Sequence, residues 1–237
     1  MIRHLSAPPL DPFDGFARSI LPPSTAAEML KRLRPVARTM RLYGKSVLFD
    51  ETDDQLGFIE AGATKLVAHA SGGREQVVAF HFSQDLVWLP GGAAHHYALY
   101  PLGQTTLVVF PAERFLAAVR DDAAVLGVLL ERIRMALLRS REKAVSLGRK
   151  SAQERVAGFL LSMASRIGTG DRATPEIDLP MSRRDIADNL GLTIETVSRQ
   201  FSELRGCGVI ETAGRSHVRL CDLVVLEARA GHVSRVI

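Results

Sequence analysis

LPMSRRDIADNLGLTIETVSRQFSELRGCGVI, residues 179–210, carries two short runs of helical periodicity that meet at a glycine. Ile186, Ala187 and Leu190 share one face of the first run, and Ile194, Val197, Phe201 and Leu204 share one face of the second. Ser182 stands before the first run with Asp185 three residues on, a pattern in which hydroxyl and carboxylate satisfy backbone N–H groups that no helical carbonyl reaches. Gly191 can take the positive φ that ends one helix and redirects the chain, and Thr193 is placed to cap the next. Two short helices joined by so tight a turn form a helix-turn-helix.

The second helix keeps Glu195, Thr196, Ser198, Arg199 and Ser202 on its outer face. These are base-reading residue types. A guanidinium donates a fork to guanine O6 and N7, a carboxylate accepts from cytosine N4, and a serine bonds bases or touches a thymine methyl. They cluster toward the helix N-terminus, the end that enters a major groove. The competing reading is a solvated surface ion pair, because Glu195 precedes Arg199 by four residues. The expected DNA-contacting set is Ser182, Thr193, Glu195, Thr196, Ser198 and Arg199, with Arg215 added from the segment that follows.

Downstream, Gly206-Cys207-Gly208 ends the helix, and two short strands around Ala213-Gly214-Arg215 make a β-hairpin wing, where Arg215 or His217 can touch phosphate. Leu223–Arg229 reads as a closing helix. Upstream, a helix is expected over Ala152–Ile167, an exposed loop over Gly168–Glu176, and a domain hinge near Gly148. Before that hinge, Leu126, Leu130, Ile133, Leu137, Ala144 and Leu147 recur at alternating three- and four-residue steps, with Ser140 in the seam. About three heptads of this kind predict a parallel dimer helix, with Arg132, Arg134, Arg139, Arg141 and Lys143 on its outer faces. A helix packed on its own domain would show the same stripe.

Between Arg41 and Pro111 the pattern changes to short strands: Ser46–Phe49, Gly57–Glu60, Thr64–Ala70, Gln76–Phe82, Leu86–Leu89, His96–Leu99 and Thr105–Phe110. Close spacing and Gly-bearing turns such as Ser71-Gly72-Gly73 predict an antiparallel roll. Its inward and rim residues include Phe80, Phe82, Trp88, His95, His96 and Tyr97, which either line a ligand cavity or fill a core. The proline-rich residues 1–37 read as a mobile leader with one or two short helices, one of them over Thr25–Leu33.

The 237 residues suffice for one large or two modest domains, and 46% hydrophobic content supplies their cores. A net charge of +4 and a pI near 9.4 favour an anionic partner. The apolar runs are far too short to span a bilayer and the N-terminus has no signal pattern, so no membrane association and a cytoplasmic location are expected. Two cysteines, Cys207 and Cys221, exclude a disulfide framework and a cysteine-ligated cluster within one chain. Cys207 sits just past the second helix, where oxidation could disturb DNA binding; the plainer reading, which the sequence favours, is a small buried or half-buried side chain.

The order of parts, roll, long helix and winged helix-turn-helix, resembles the Crp/Fnr family of bacterial transcription regulators from about Lys45 to Asp222. Three stretches resemble its Fnr and FixK branch: GGREQVVAFHFSQDLV at 72–87, SAQERVAGFLL at 151–161 and, most specific, PMSRRDIADNLGLTIETVSR at 180–199. The resemblance implies an α+β fold: an N-terminal antiparallel β-roll of the cyclic-nucleotide-binding type (38–120), a long dimerisation helix (121–148) seamed by Leu126, Leu130, Ile133, Leu137 and Ala144, and a C-terminal winged helix-turn-helix (149–237) behind the leader. It implies a homodimer that binds a double-stranded palindrome of TTGAT half-sites, read by Glu195, Ser198 and Arg199. It also implies an activator that recruits RNA polymerase, in low-oxygen or nitrogen-oxide-linked metabolism.

The chain departs from the family where signals are sensed. The N-terminal half lacks the cysteines of an iron–sulfur oxygen sensor, and LPGGAAHHYALYPL at 89–102 offers neither the arginine nor the acid that holds a cyclic-nucleotide phosphate. The expectation is a regulator with no dedicated cofactor and no resident metal. A haem-based gas sensor is the alternative, suggested by His95-His96, of which at most one can face a cavity because neighbours on a strand point oppositely. His81 reads as a packed or hydrogen-bonded histidine. A cupin-like metal enzyme is the remote alternative, but His69, His81, His95 and His96 lack its spacing. No enzymatic activity is expected.

Overall fold

A computed structural model describes residues 11–24, 26–46, 48, 53–70, 73–91 and 96–231. In chain order the elements are α1 (Pro12–Ile20), α2 (Ala26–Leu33), β1 (Arg38–Leu42), β2 (Gln55–Ala61), β3 (Ala63–Ala70), β4 (Arg74–Phe82), β5 (Leu86–Leu89), β6 (His96–Pro101) and β7 (Thr105–Pro111), and then α3 (Ala112–Val119), α4 (Ala123–Arg149) and α5 (Ala152–Ile167). They continue with β8 (Glu176–Asp178), α6 (Arg183–Leu190), α7 (Ile194–Gly206), β9 (Ile210–Ala213), β10 (His217–Leu220) and α8 (Leu223–Arg229). The chain is α+β and folds as two compact units. The first holds the residues up to Thr64 together with Ser83–Ile133; the second holds Lys65–Phe82 and the residues from Arg134 onwards.

In the first unit four antiparallel strands lie in the order β1-β7-β2-β5. Residues 107–110 of β7, Leu-Val-Val-Phe, are all fully buried, so both faces of this central strand are covered and the pattern is continuous rather than alternating. Helix α1 explains one of those covers. Its Phe16 lies 4.9 Å from Phe110, 5.6 Å from Phe58 and 6.2 Å from Phe115, centroid to centroid, and Phe13, Ile20, Met29 and Leu33 join the same core. The mobile leader expected over residues 1–37 is therefore corrected for its described part. Pro12 occupies the first helical turn, where its missing N–H costs nothing, and Asp11 caps that turn by accepting from the Phe13 N–H. Pro12 starts a helix instead of preventing one.

Most expected strands are present, some longer than the sequence reading placed them; β1 was missed here and β8 in the second unit. β1 pairs Leu42 with Thr105 along the edge of the sheet. Its Arg-Thr-Met-Arg-Leu sequence buries only Leu42, too weak an alternation to announce a strand. Of Ser46–Phe49, Val47 and Phe49 lie outside the described residues, while Leu48 exchanges two backbone hydrogen bonds with Leu99. His95 also lies outside them.

The hairpin of β3 and β4 belongs to an antiparallel sheet of order β4-β3-β6, as a roll requires, and by compactness its residues group with the helix-turn-helix. Helix α4 runs unbroken through Gly148 to Arg149. The aromatic residues read as lining a cavity or filling a core lie in different surroundings. Phe80 packs edge-on against Phe159 of α5, and Arg166 lies 4.5 Å over the Phe82 ring while donating to the Phe80 carbonyl. Trp88 is exposed in the first unit, its indole N–H donating to Asp54; His96 is exposed and Tyr97 half-buried.

Lys143 and Arg132 are likewise not on an outer face. Lys143 Nζ donates to the Val77 and Val78 carbonyls at 2.7 and 2.8 Å, and burial pushes its ammonium down to about 8. Arg132 donates to the Gln84 carbonyl. The loop expected over Gly168–Glu176 is present and exposed from Gly168 to Ala173, and β8 follows from Glu176, its Ile177 fully buried in the sheet β8-β10-β9. Among the described residues no helix is long and apolar enough to cross a membrane.

Because Phe16 anchors the helix that covers the sheet, Phe16→Ala should lower stability by about 3–5 kcal/mol. Urea unfolding followed by circular dichroism measures this, and a loss near zero would return α1 to the status of a leader.

Candidate nucleic-acid interface

Both helices of the pair begin with side-chain caps. Ser182 accepts from the Asp185 N–H, and the Asp185 carboxylate accepts from the Ser182 N–H at 2.9 Å and its hydroxyl at 2.6 Å. Burial by itself raises the Asp185 carboxyl, but bonds from Lys65 and Ser182 outweigh it and hold the group below its ordinary range. Thr193 caps α7 by accepting from the Thr196 N–H. Between the helices Gly191 takes φ +62°, and a Cβ there would lie 3.3 Å from Leu147 as well as in a strained backbone region. Val197, Phe201 and Leu204 are buried beneath α7, as the periodicity predicted.

That burial fixes what α7 presents. Glu195, Ser198, Arg199 and Ser202, spaced i, i+3, i+4 and i+7, are all exposed on one face. Among the described residues no ion pair joins Glu195 to Arg199. Glu195 is held below its ordinary pKa by bonds from its own backbone N–H and the Thr193 hydroxyl, with Arg184 adding a favourable charge. The carboxylate is thus ionised and an acceptor at neutral pH. Thr193 is exposed, whereas Thr196 is half-buried with its hydroxyl 3.0 Å from that of Thr193.

A concavity of about 520 Å³ brings together the start of α6, the outer face of α7 and the wing, lined by Ser182, Arg183, Ser198, Ser202, Arg205 and Arg215 among others. None of its described lining residues is acidic. Arg215 is exposed at the turn between β9 and β10. The structure adds Arg183 and Arg205 to the basic residues read from sequence. Arg183 is half-buried, its guanidinium 3.4 Å over the Phe201 ring, so the residue beneath the recognition helix orients a charge at its edge. The Arg183-Arg184 pair at the start of α6 was the available signal.

His217 is not at the wing tip. It opens β10, with Nδ1 3.1 Å from the Asp178 carboxylate and Nε2 3.8 Å from Glu176, two acids that make it a poor phosphate partner. Cys207 is exposed at the end of α7 and its N–H donates to the Glu203 carbonyl; Cys221 is half-exposed, and neither forms a disulfide. Along α4, Leu126, Leu130, Ile133, Leu137 and Ala144 are all exposed, Leu130 by 68% and Ile133 by 58%. Among the described residues no group of His, Cys, Asp or Glu is arranged to hold a metal ion.

This helix pair with its wing matches a known domain: residues 154–229 fit the Crp-like helix-turn-helix domain family. Over most of its length the chain is similar to the transcriptional activator protein FnrA of Stutzerimonas stutzeri, at 31% identity across 86% of this chain and 82% of FnrA. The nitrogen fixation regulation protein FixK of Bradyrhizobium diazoefficiens is 33% identical across 87% of this chain and 88% of FixK. The chain belongs to the Crp/Fnr family of transcription regulators. Within that family it is FixK-like, since the solved structure of FixK2 from Bradyrhizobium japonicum superposes with a TM-score of 0.73 at 30% identity, covering 84% of this chain and all of that one.

One residue holds this Crp/Fnr helix pair to the helices before it. Arg155 of α5 donates to three carbonyls: Leu147 at 2.8 Å and Lys150 at 2.9 Å, around the end of α4, and Leu190 at 3.0 Å, at the end of α6. A cation at two helix C-termini also meets the negative ends of their dipoles. Arg155→Met, which keeps the aliphatic stem, should cost about 1–3 kcal/mol of stability by thermal or urea unfolding. A variant as stable as the parent would show that the three bonds do no more than replace water.

Proposed function

We propose that the protein is a dimeric transcription activator that binds a palindrome of TTGAT-type half-sites and controls genes of low-oxygen or nitrogen-oxide metabolism. The observation that carries the reading is the single exposed face of α7, on which Glu195, Ser198 and Arg199 stand at the spacing of the branch's base-reading residues. Arg199 supplies the guanine contact, Glu195 the acceptor for cytosine, and the arginines of the adjoining concavity neutralise phosphate. Ser182, Thr193 and Thr196 add polar contacts near the two helix starts. Exposed apolar residues spaced along α4 support dimerisation, since Leu130, Ile133 and Leu137 would bury their side chains in a two-stranded seam. Two helix-turn-helix units related by that seam place half-sites about one DNA turn apart.

The names of the similar proteins, transcriptional activator and nitrogen fixation regulation, support activation and the metabolic setting. In this reading RNA polymerase is the protein partner, the location is cytoplasmic, and no haem, iron–sulfur cluster, cyclic nucleotide or metal is resident.

Two measurements test it. Arg199→Ala should lose on the order of 1–3 kcal/mol of specific binding in a gel-shift titration and lose preference between TTGAT and TTAAT half-sites; unchanged discrimination would remove Arg199 from base reading. Ile133→Glu should shift sedimentation from dimer to monomer, and an unaltered dimer would place the interface elsewhere.

A further inference from the structure

The β3–β4 hairpin is bonded to the helix-turn-helix at several points that the DNA-reading surface does not use. Lys65 of β3 pairs with Asp185, the carboxylate that also caps α6. Gln76 of β4 donates to the Asp188 carbonyl near the other end of α6. Asn189 is buried and donates its side-chain amide to the Val77 carbonyl at 3.1 Å. The same carbonyl receives Lys143 from α4 at 2.7 Å. One backbone oxygen in the hairpin is therefore shared by the long helix and by the first helix of the reading pair.

The chemistry of these contacts is unusual for simple packing. Asn189 occupies a buried helix position where an apolar residue would pack at no polar cost, and its amide is satisfied there by the hairpin backbone. Lys143 gives up hydration for two carbonyls, an arrangement that loses its sense if β4 moves away. Meanwhile Ser198, Arg199, Ser202 and Arg215 stay exposed with the hairpin in place. Docking therefore leaves the reading face open.

We propose that the β3–β4 hairpin is a buttress for DNA reading, with Lys65, Asn189 and Lys143 as positioning residues that fix α6, and through its tight turn α7, at the angle the groove requires. This rests on the DNA-binding function proposed above. None of the three touches DNA. Their effect on affinity comes from holding the helix pair, so it is separable from phosphate contact, which leaves a signature in salt dependence.

The test uses full-length protein and a duplex carrying the TTGAT palindrome, titrated from low to physiological salt, with amide hydrogen exchange on the free protein. Asn189→Leu and Lys143→Met should each weaken binding at least about fivefold, the equivalent of one lost bond. The slope of log affinity against log salt should stay at the wild-type value. Exchange should rise in both β4 and α6 while α5 and α8 keep their protection. Lys65→Met should weaken binding and Lys65→Arg restore it. Should Lys143→Met or Asn189→Leu not fold, the Lys65 pair and Lys143→Arg, which keeps its donors, carry the test. Unchanged affinity and exchange in these variants would overturn the buttress, and so would a slope reduced by about 0.9, the mark of a phosphate contact. Wild-type protein that ignored the palindrome would defeat the proposed function instead, and the exchange result would still judge the hairpin.

Discussion

The placement of α6 depends on carbonyl groups that are claimed from outside the helix. Its last turn leaves backbone oxygens without intrahelical donors. Arg155 takes the Leu190 carbonyl and Gln76 the Asp188 carbonyl, while the Asp185 cap serves the opposite end. Arg155 takes two more carbonyls around the end of α4, so one guanidinium fixes two helix termini against α5. A helix of eight residues is too short to be stable alone and takes its orientation from such ties. Since α7 follows after a turn built on Gly191, the orientation of the reading helix is inherited from them.

The hairpin and the long helix are also the segments by which the chain passes between the two compact units, at Thr64/Lys65, Phe82/Ser83 and Ile133/Arg134. Within the second unit they meet at the Val77 carbonyl, a single acceptor beside α6. A buried ammonium without a carboxylate partner is costly to maintain. Its presence at this point is understandable if the Lys143, Asn189 and Arg166 donors that converge on β4 carbonyls define one arrangement of the hairpin and exclude its slipped alternatives.

Much of the second unit was legible in sequence because its signals are local. Caps, a positive-φ glycine and a 3.6-residue period lie within a few residues of one another, and they located α5, α6, α7, the wing and α8. The exposed set on α7 followed from the buried set. What was not legible depends on partners distant in sequence. Strand periodicity identified β3 and β4, but nothing in that periodicity states that Asn189, more than a hundred residues later, bonds to Val77. Lys143 read as a surface charge because lysine in a helix usually is one. Similarly, the prolines of residues 1–37 suggested a mobile leader with one or two short helices, and nothing local announced that Phe16 completes the aromatic core of the sheet.

Helix α4 shows how much a periodic stripe leaves undecided. Its heptad positions are apolar, yet Val125 and Leu129, which lie off that stripe, are the residues buried within the chain. Intramolecular packing therefore uses one side of the helix and leaves the heptad side exposed. A stripe serving the chain's own core would have been buried by it, and this one is not. Leu130, Ile133 and Leu137 together expose an apolar strip, the feature on which the proposed dimer rests. The separation of sides also means that a seam along α4 and the Lys143 bond to β4 are not alternatives, since each draws on different positions of the same 27-residue helix.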